Sequence, residues 1–239
     1  MILKCENVTK QFGKLYAVDD LSFEVEEGII FGIAGTNGSG KTTTFNLITG
    51  IYPFRGDIIF NGERISGMSP YKICHKGIAR TFQIPQLFLS LPLLDNIRAG
   101  AYFGNPGANH NEMKTIKEVL DFVGLKGKES TIAANLKLLD KKLAMIATAL
   151  ATKPKILLLD EPIAGLNPTE IRQSIELFKK INRDLGVTIL IIEHFMKVLT
   201  ELSQRLMILE NGAQICIGPP HEVTEDPRVI ETYLGGCYA

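Results

Sequence analysis

The chain has neither an excess of charge of one sign nor a pairing pattern among its cysteines. Its 26 lysine and arginine residues are balanced by 26 aspartate and glutamate residues, so the overall charge favours neither nucleic acid nor an anionic bilayer as a partner. The cysteines form no C-x-x-C pair, which argues against a zinc site and a disulfide scaffold. They are Cys5, Cys74, Cys216 and Cys237. The cysteine pattern favours a reducing cytoplasm, and the balanced charge means that any charged site must be local.

Long hydrophobic runs are also missing. No apolar stretch approaches the length that crosses a membrane. The opening residues Met1–Glu6 lack the basic start and the long apolar core of a signal peptide. We therefore expect a chain that reaches a membrane only through a partner. Its 239 residues are enough to bury a substantial core, in one domain or in two intimately joined ones.

A glycine-rich segment is the most informative feature that is present. It completes the pattern G-x-x-x-x-G-K-S/T between the apolar run Ile29–Ala34 and the helix-compatible stretch Thr42–Thr49. Such a loop points successive N–H groups at phosphates, and the helix adds its positive N-terminal end. We expect Lys41 to neutralise the β and γ phosphates of a nucleoside triphosphate and Thr42 to bind Mg²⁺. The predicted phosphate-binding residues are Gly35, Thr36, Asn37, Gly38, Ser39, Gly40, Lys41, Thr42 and Thr43.

Two kinds of strand pattern divide the chain. Leu3–Val8 and Leu21–Val25 alternate polar and apolar residues, and Asn-Gly turns follow Asp57–Phe60 and Leu206–Glu210, so antiparallel sheet is predicted in both terminal portions. Continuous apolar runs are instead typical of strands buried in a parallel sheet. These runs are Ile29–Ala34, Lys155–Leu159 and Val187–Ile192. The two patterns together predict an α/β fold.

Capping residues predict the helices. Pro168 opens an amphipathic stretch that Gly186 closes, and Ser69-Pro70 begins a shorter helix. Glu112–Val123 has apolar residues at helical spacing. The Gly-, Pro- and Asn-rich stretch Gly104–Asn111 is predicted to be an exposed, mobile loop.

Two adjacent carboxylates follow the second of the buried strands. Asp160 is predicted to hold Mg²⁺ through its water shell beside the phosphate loop, and Glu161 to orient and deprotonate an attacking water. A plain acidic turn into Pro162 is the alternative. The phosphate loop, the strand ending Asp-Glu-Pro and a later strand ending Glu-His resemble the ATP-binding cassette ATPases over essentially the whole chain.

That resemblance implies roles for three further side chains. Phe12 matches the aromatic residue that stacks on the adenine of ATP, although an ordinary strand-end aromatic would look the same. Gln83 matches the glutamine that reaches Mg²⁺ and the water. His194 matches the switch histidine, which contacts the γ-phosphate and fixes Glu161. Asn167 stands in the loop by which two cassettes sense each other, where many members carry aspartate; a helix lead-in is the equally simple alternative.

The resemblance also implies a domain organisation. It predicts a P-loop NTPase (RecA-like) core with an antiparallel β subdomain in residues 1–83 and 153–239. An α-helical signature subdomain is inserted as residues 84–152. The apolar connector Ile84–Leu94 either belongs to the core of that subdomain or lines the groove that receives a permease helix.

Several stretches look like the cassettes of branched-chain amino acid importers, most particularly the tail Asp226–Gly235. This implies an ATPase subunit on the cytoplasmic face of the membrane that works with permease subunits, a second cassette and, indirectly, a solute-binding protein, but not with nucleic acid. The alternatives are a lipid or lipopolysaccharide transport cassette and a regulatory ATP-binding subunit.

One motif departs from the family pattern. Where Leu-Ser-Gly-Gly-Gln is expected, the chain reads Leu136-Lys137-Leu138-Leu139-Asp140. In the family, the serine and glycines cap the γ-phosphate held by the opposite cassette. Either Lys137 replaces those hydrogen bonds with a point charge, or the site that this chain caps is slow. We therefore expect a pair with a distinct second cassette, a pair of identical chains being the alternative.

Overall fold

The computed structural model describes residues 1–104 and 112–234, which include ten strands and nine α-helices. The strands are β1 (Leu3–Phe12), β2 (Leu15–Val25), β3 (Ile30–Gly35), β4 (Arg55–Phe60), β5 (Glu63–Arg64), β6 (Ile78–Arg80), β7 (Ile156–Asp160), β8 (Thr188–Ile192), β9 (Arg205–Glu210) and β10 (Ala213–Gly218). The helices are α1 (Lys41–Ile48), α2 (Pro70–Lys76), α3 (Leu93–Phe103), α4 (Glu112–Phe122), α5 (Leu138–Ala151), α6 (Pro168–Leu185), α7 (Met196–Leu202), α8 (Pro220–Glu225) and α9 (Pro227–Leu234).

The strands form two sheets. The smaller sheet is antiparallel with the order β2-β1-β4-β5, and the larger has the order β10-β9-β3-β8-β7-β6. Within the larger sheet β3, β6, β7, β8 and β9 run parallel, and β10 adds an antiparallel edge. The predicted α/β fold with an antiparallel subdomain is confirmed.

The central strands are apolar along their whole length because both faces of the sheet are covered. Leu157 and Leu159 of β7 point into a core that includes α3, α5 and α6. Ile156 and Leu158 point into a second core shared with α1 and the antiparallel sheet. This alternation explains why the run lacks the polar residues of a half-exposed strand.

Both Asn-Gly turns close hairpins, as predicted. Asn61 and Gly62 join β4 to β5, and Asn211 and Gly212 join β9 to β10. All four residues have positive φ, between 49° and 83°, which matches the twist of a two-residue hairpin turn. The second hairpin lies beside the phosphate loop, because Gly212 donates its N–H to the Ser39 carbonyl.

The first hairpin is longer than predicted. The strand expected at Leu3–Val8 continues to Phe12, and its partner begins at Leu15. The register shifts between Cys5 and Val8 and again before Gln11. These bulges break the period-two alternation on which the shorter prediction depended.

Helices α3, α4 and α5 fall within the predicted helical subdomain, and their buried residues share one core.

The connector before α3 has two parts. Ile84 and Phe88 are exposed, whereas Leu93 is fully buried. The predicted mobile loop at 104–111 lies outside the described residues, Gly104 excepted. Within the described ranges, no helix is both long enough and apolar enough to cross a membrane.

Candidate active site

The phosphate loop connects β3 to α1 at the carboxyl end of the parallel sheet. Gly38 and Gly40 both have positive φ, and a Cβ on Gly40 would lie 2.3 Å from the Ala17 carbonyl oxygen. The buried Lys41 ammonium donates to the carbonyl oxygens of Gly35 and Thr36, both at 2.8 Å. Burial lowers the pKa of Lys41, and Glu161 and Asp160 partly offset this. The loop thus folds around a cation, as binding of phosphates requires.

Asp160 ends β7 beside the start of α1. Its side chain is only 2 % exposed. One carboxylate oxygen, Oδ1, accepts a hydrogen bond from the Thr42 hydroxyl at 3.3 Å. The structure therefore brings together two of the three residues predicted to bind Mg²⁺.

The other oxygen of Asp160 is held by Arg80, which sequence reasoning missed. Arg80 Nη2 lies 2.7 Å from Asp160 Oδ2, and Nη1 donates to Asn46 Oδ1 at 2.6 Å. The guanidinium lies 4.9 Å from the centre of the Phe82 ring. Burial lowers the pKa of Arg80, and the bond to Asp160 opposes that shift. One signal for this contact was available in the sequence. Arg80 is a charged residue at the end of β6, the strand that pairs in parallel with β7.

Glu161 brings the remaining predicted side chains together. Its Oε1 lies 2.7 Å from His194 Nε2, and its Oε2 accepts from Gln83 Nε2 at 2.6 Å. The residue has φ of 47°, an uncommon conformation for a residue with a side chain that often marks a functional site. The three residues come from separate segments, after β7, after β8 and after β6.

Phe12 lies at the end of β1, apart from this cluster of carboxylates. The residue is 42 % exposed. It packs edge-on against Tyr52 with ring centres 5.3 Å apart, and Lys10 Nζ lies 4.8 Å from its centre. A half-exposed aromatic ring of this kind is able to stack on a base. Its role in binding adenine stays a prediction.

Lys137 is not brought to the cluster around Glu161. It is the exposed N-cap residue of α5, and within residues 1–104 and 112–234 its ammonium group has no hydrogen bond or ion pair. Asp140, in the first turn of the same helix, pairs with Lys128 at 2.7 Å. Among the described residues, the charged side chains of the altered motif therefore form no hydrogen bond or ion pair with this chain's own phosphate loop.

Asn167 caps α6. Its side chain accepts from the N–H groups of Thr169 and Glu170, and Glu170 in return accepts from the Asn167 N–H. This capping box agrees with the alternative interpretation of Asn167 as the residue that leads into a helix.

Comparison with known proteins decides the family. The family described as "ABC transporter" matches residues 18–164. The chain belongs to the ATP-binding cassette family. It is therefore an ATPase that binds ATP. The family described as "Branched-chain amino acid ATP-binding cassette transporter" matches residues 213–236 of the cassette.

The cassette is similar to characterised proteins along almost its whole length. It is 34 % identical over 98 % of both chains to the high-affinity branched-chain amino acid transport ATP-binding protein BraF of Pseudomonas aeruginosa. It resembles the ADP conformation of the cassette MJ1267 with a TM-score of 0.88 and 33 % identity, covering 98 % of each chain. A dimeric structure of the bacterial cassette MJ0796 matches with a TM-score of 0.83 and 25 % identity, over 92 % of this chain and 99 % of the other.

Proposed function

We propose that this cassette hydrolyses ATP as a subunit of a membrane importer for branched-chain amino acids or related amides. The convergence of Gln83 and His194 on the Glu161 carboxylate carries the hydrolytic part of this proposal. The similarity to BraF and the match of residues 213–236 support the solute class. The lipid and lipopolysaccharide alternative lacks such support.

The phosphate loop would bind the nucleotide. Residues 35–43 would direct N–H groups at the phosphates, and the Lys41 ammonium would exchange the carbonyls of Gly35 and Thr36 for phosphate oxygens. Phe12 would stack on adenine. These residues would bind ATP beside the carboxyl end of β7.

The residues beside the loop fit a magnesium ion. Thr42, Asp160 and Gln83 offer hydroxyl, carboxylate and amide oxygens, and Mg²⁺ prefers oxygen ligands while keeping several waters. The 3.3 Å separation of Thr42 Oγ1 and Asp160 Oδ1 places two of these donors side by side. A magnesium ion held by these residues would neutralise negative charge that develops on the phosphates during hydrolysis.

Glu161 would act on the attacking water. Its carboxylate accepts a proton from the water while the water oxygen attacks the γ-phosphorus and the bond to the ADP oxygen breaks. His194 and Gln83 hold that carboxylate in place from opposite oxygens. A purely regulatory ATP-binding subunit would have no need of this arrangement.

The membrane contact would use the connector after Gln83. Ile84, Phe88, Leu89 and Leu91 are all exposed apolar side chains, between 41 % and 70 %. An exposed cluster of this kind is typical of an interaction surface. It would receive a cytoplasmic helix of the permease and so place the cassette on the cytoplasmic face of the membrane.

We propose the same domain division as the sequence predicts, with residues 84–152 as the helical subdomain and residues 1–83 and 153–239 as the core.

The cassette would work in a pair, as the dimeric structure of MJ0796 suggests. Lys137 and Leu139 replace a hydroxyl and a bare backbone at the start of α5, where a γ-phosphate in the opposite cassette would be capped. Loss of a contact that one subunit donates to the phosphates in another, such as an arginine finger, lowers the rate of hydrolysis on the order of 10³-fold. We therefore favour a distinct second cassette that supplies an intact cap to this chain's site.

Reconstitution of the whole transporter tests the proposal. The cassette, its permease and partner cassette are placed in proteoliposomes with the solute-binding protein, and uptake of labelled leucine, isoleucine and valine is measured with ATP turnover. We expect uptake and stimulated turnover, both lost in Glu161→Gln. Turnover that persists in Glu161→Gln would contradict the assigned base, and turnover without uptake of these solutes would contradict the solute class.

A further inference from the structure

Two buried charged residues, Lys142 and Glu193, lie directly behind the catalytic cluster without being part of it. Lys142 on α5 is 4 % exposed, and Glu193 at the end of β8 is 1 % exposed. Burying a charge is expensive unless it is well paired, and an apolar replacement of a buried pair is often equally stable. The positions of the two groups therefore need a reason other than stability.

Lys142 holds the backbone of Glu161. Its Nζ donates to the Glu161 carbonyl oxygen at 3.1 Å. The same carbonyl accepts from the Ala164 N–H at 3.3 Å, and the Glu161 N–H donates to Ile192 at 3.0 Å. Glu161 has the left-handed φ of 47°, which costs energy and persists only where surroundings impose it. Lys142 is the one side chain among the described residues that donates to this carbonyl.

Glu193 holds the backbone of the two neighbouring loops. Its Oε1 accepts from the Ile163 N–H at 3.0 Å, two residues after Glu161, and its Oε2 accepts from the His194 N–H at 3.3 Å. One carboxylate thus fixes the turn that follows Glu161 and the residue whose imidazole contacts the Glu161 side chain. Burial lowers the pKa of Lys142 and raises the pKa of Glu193, and the attraction between the two groups opposes both shifts.

We propose that Lys142 and Glu193 are positioning residues for ATP hydrolysis, which fix the backbone from which Glu161 and His194 reach the water. The inference rests on the proposed role of Glu161 as base. Lys142 lies two residues after the altered motif that ends at Asp140. The same helix therefore carries the proposed phosphate cap at its start and a direct contact to this chain's own base one turn later.

Replacement of Lys142 by methionine tests the proposal, with kcat and KM measured in the complex co-purified with its partner subunits. We expect kcat to fall about ten- to a hundredfold, since small misplacements of reacting groups cost this much. The KM for ATP and the affinity of the full-length chain for a fluorescent ATP analogue should stay within about twofold. Lys142→Arg should restore much of kcat, because a guanidinium also donates to a carbonyl.

Lys141→Met provides a matched control. Lys141 is the preceding residue of the same helix and is partly exposed, and its side chain has no hydrogen bond or ion pair with the described residues. We expect kcat of this variant to stay within about twofold of the wild type, because it removes an equal charge and length without touching Glu161.

Glu193→Gln is the second variant and carries the test if Lys142→Met fails to fold. It should also lower kcat without weakening nucleotide binding. The double variant should lose no more than about the worse single variant, because residues that act as a unit are not additive.

Three results would overturn the proposal: an unchanged kcat in Lys142→Met, an equal loss in Lys141→Met, or a loss of nucleotide affinity as large as the loss of kcat. Glu161→Gln, measured in parallel, separates this inference from the proposed function. If Glu161→Gln abolishes turnover while Lys142→Met leaves it intact, only the positioning role fails. If Glu161→Gln retains turnover, the assignment of Glu161 as the base is wrong, and the positioning role that rests on it fails too.

Discussion

Five charged side chains lie buried where the central strands end, and each has a defined partner. Lys41 binds carbonyls of its own loop, Asp160 pairs with Arg80, and Lys142 and Glu193 hold backbone groups of the catalytic loops. Water cannot compete for these groups, so each bond is strong and each missing partner would be costly. These bonds therefore fix the shape of the site.

Glu193 makes the stability of the folded protein depend on pH. Burial is the main cause that raises its pKa from the ordinary 4.5 to about 7, against the two backbone N–H donors. Between these values the folded protein keeps a proton that the unfolded chain has lost, so this group makes stability fall as pH rises. The penalty reaches about 3 kcal/mol above pH 7.

Urea unfolding of Glu193→Gln and the wild type at pH 5 and pH 8 measures this effect. From pH 5 to pH 8, the wild type should lose up to about 3 kcal/mol of unfolding free energy relative to the variant, which carries no titrating group there. A difference that does not change with pH would contradict a raised pKa at Glu193.

At the scale of elements, the sequence predicts most of what positions the site. The apolar runs that became β3, β7 and β8, the Asn-Gly hairpins and the caps of α6 all depend on neighbours in sequence. The phosphate loop and the carboxylates after β7 follow from the same local patterns. The roles of His194 toward Glu161 and of Gln83 toward Mg²⁺ and the water came from the family resemblance. The structure adds that Gln83 also meets the Glu161 carboxylate, where three separate segments come together.

Other features could not be read from local pattern. The end of β1 was missed because bulges remove its alternation, and helices such as α7 are too short for periodicity to show. Arg80 and Lys142 were missed because their partners are distant in the chain. Each is a cation whose partner lies on another segment, and only the fold reveals which carboxylate or carbonyl it meets.

Arg80 joins three elements, since its guanidinium links the end of β6 to Asp160 on β7 and to Asn46 on α1. Arg80→Met should lower the unfolding free energy of the nucleotide-free protein by about 3–5 kcal/mol, because it leaves a buried carboxylate unpaired. Denaturant unfolding without nucleotide measures this loss.

Arg64→Met is the matched control for that measurement. Arg64 pairs with Asp57 on an exposed edge, its side chain being 65 % exposed, and such pairs contribute at most about 1 kcal/mol. Equal losses in the two variants would contradict a structural role for the buried pair of Arg80 and Asp160.

At the scale of the whole molecule, the cassette combines the proposed hydrolytic residues with a proposed phosphate cap whose motif is altered. The loop at 35–43, Asp160, Glu161 and His194 lie together at one end of the parallel sheet. Lys137 lies at the exposed start of α5, and within the described part of the chain it forms no hydrogen bond or ion pair with that cluster. Such a chain would hydrolyse its own ATP under a cap supplied by another cassette, while offering an impaired cap in return.

Light scattering of purified Glu161→Gln protein tests this claim most directly, because blocking hydrolysis traps any closed pair of cassettes. We predict that the variant remains monomeric with Mg-ATP and forms a dimer only when the second cassette of its transporter is added, with ADP in place of ATP as the control. An ATP-dependent dimer of this chain alone would contradict the account, because Lys137 and Leu139 would then suffice to cap the phosphate.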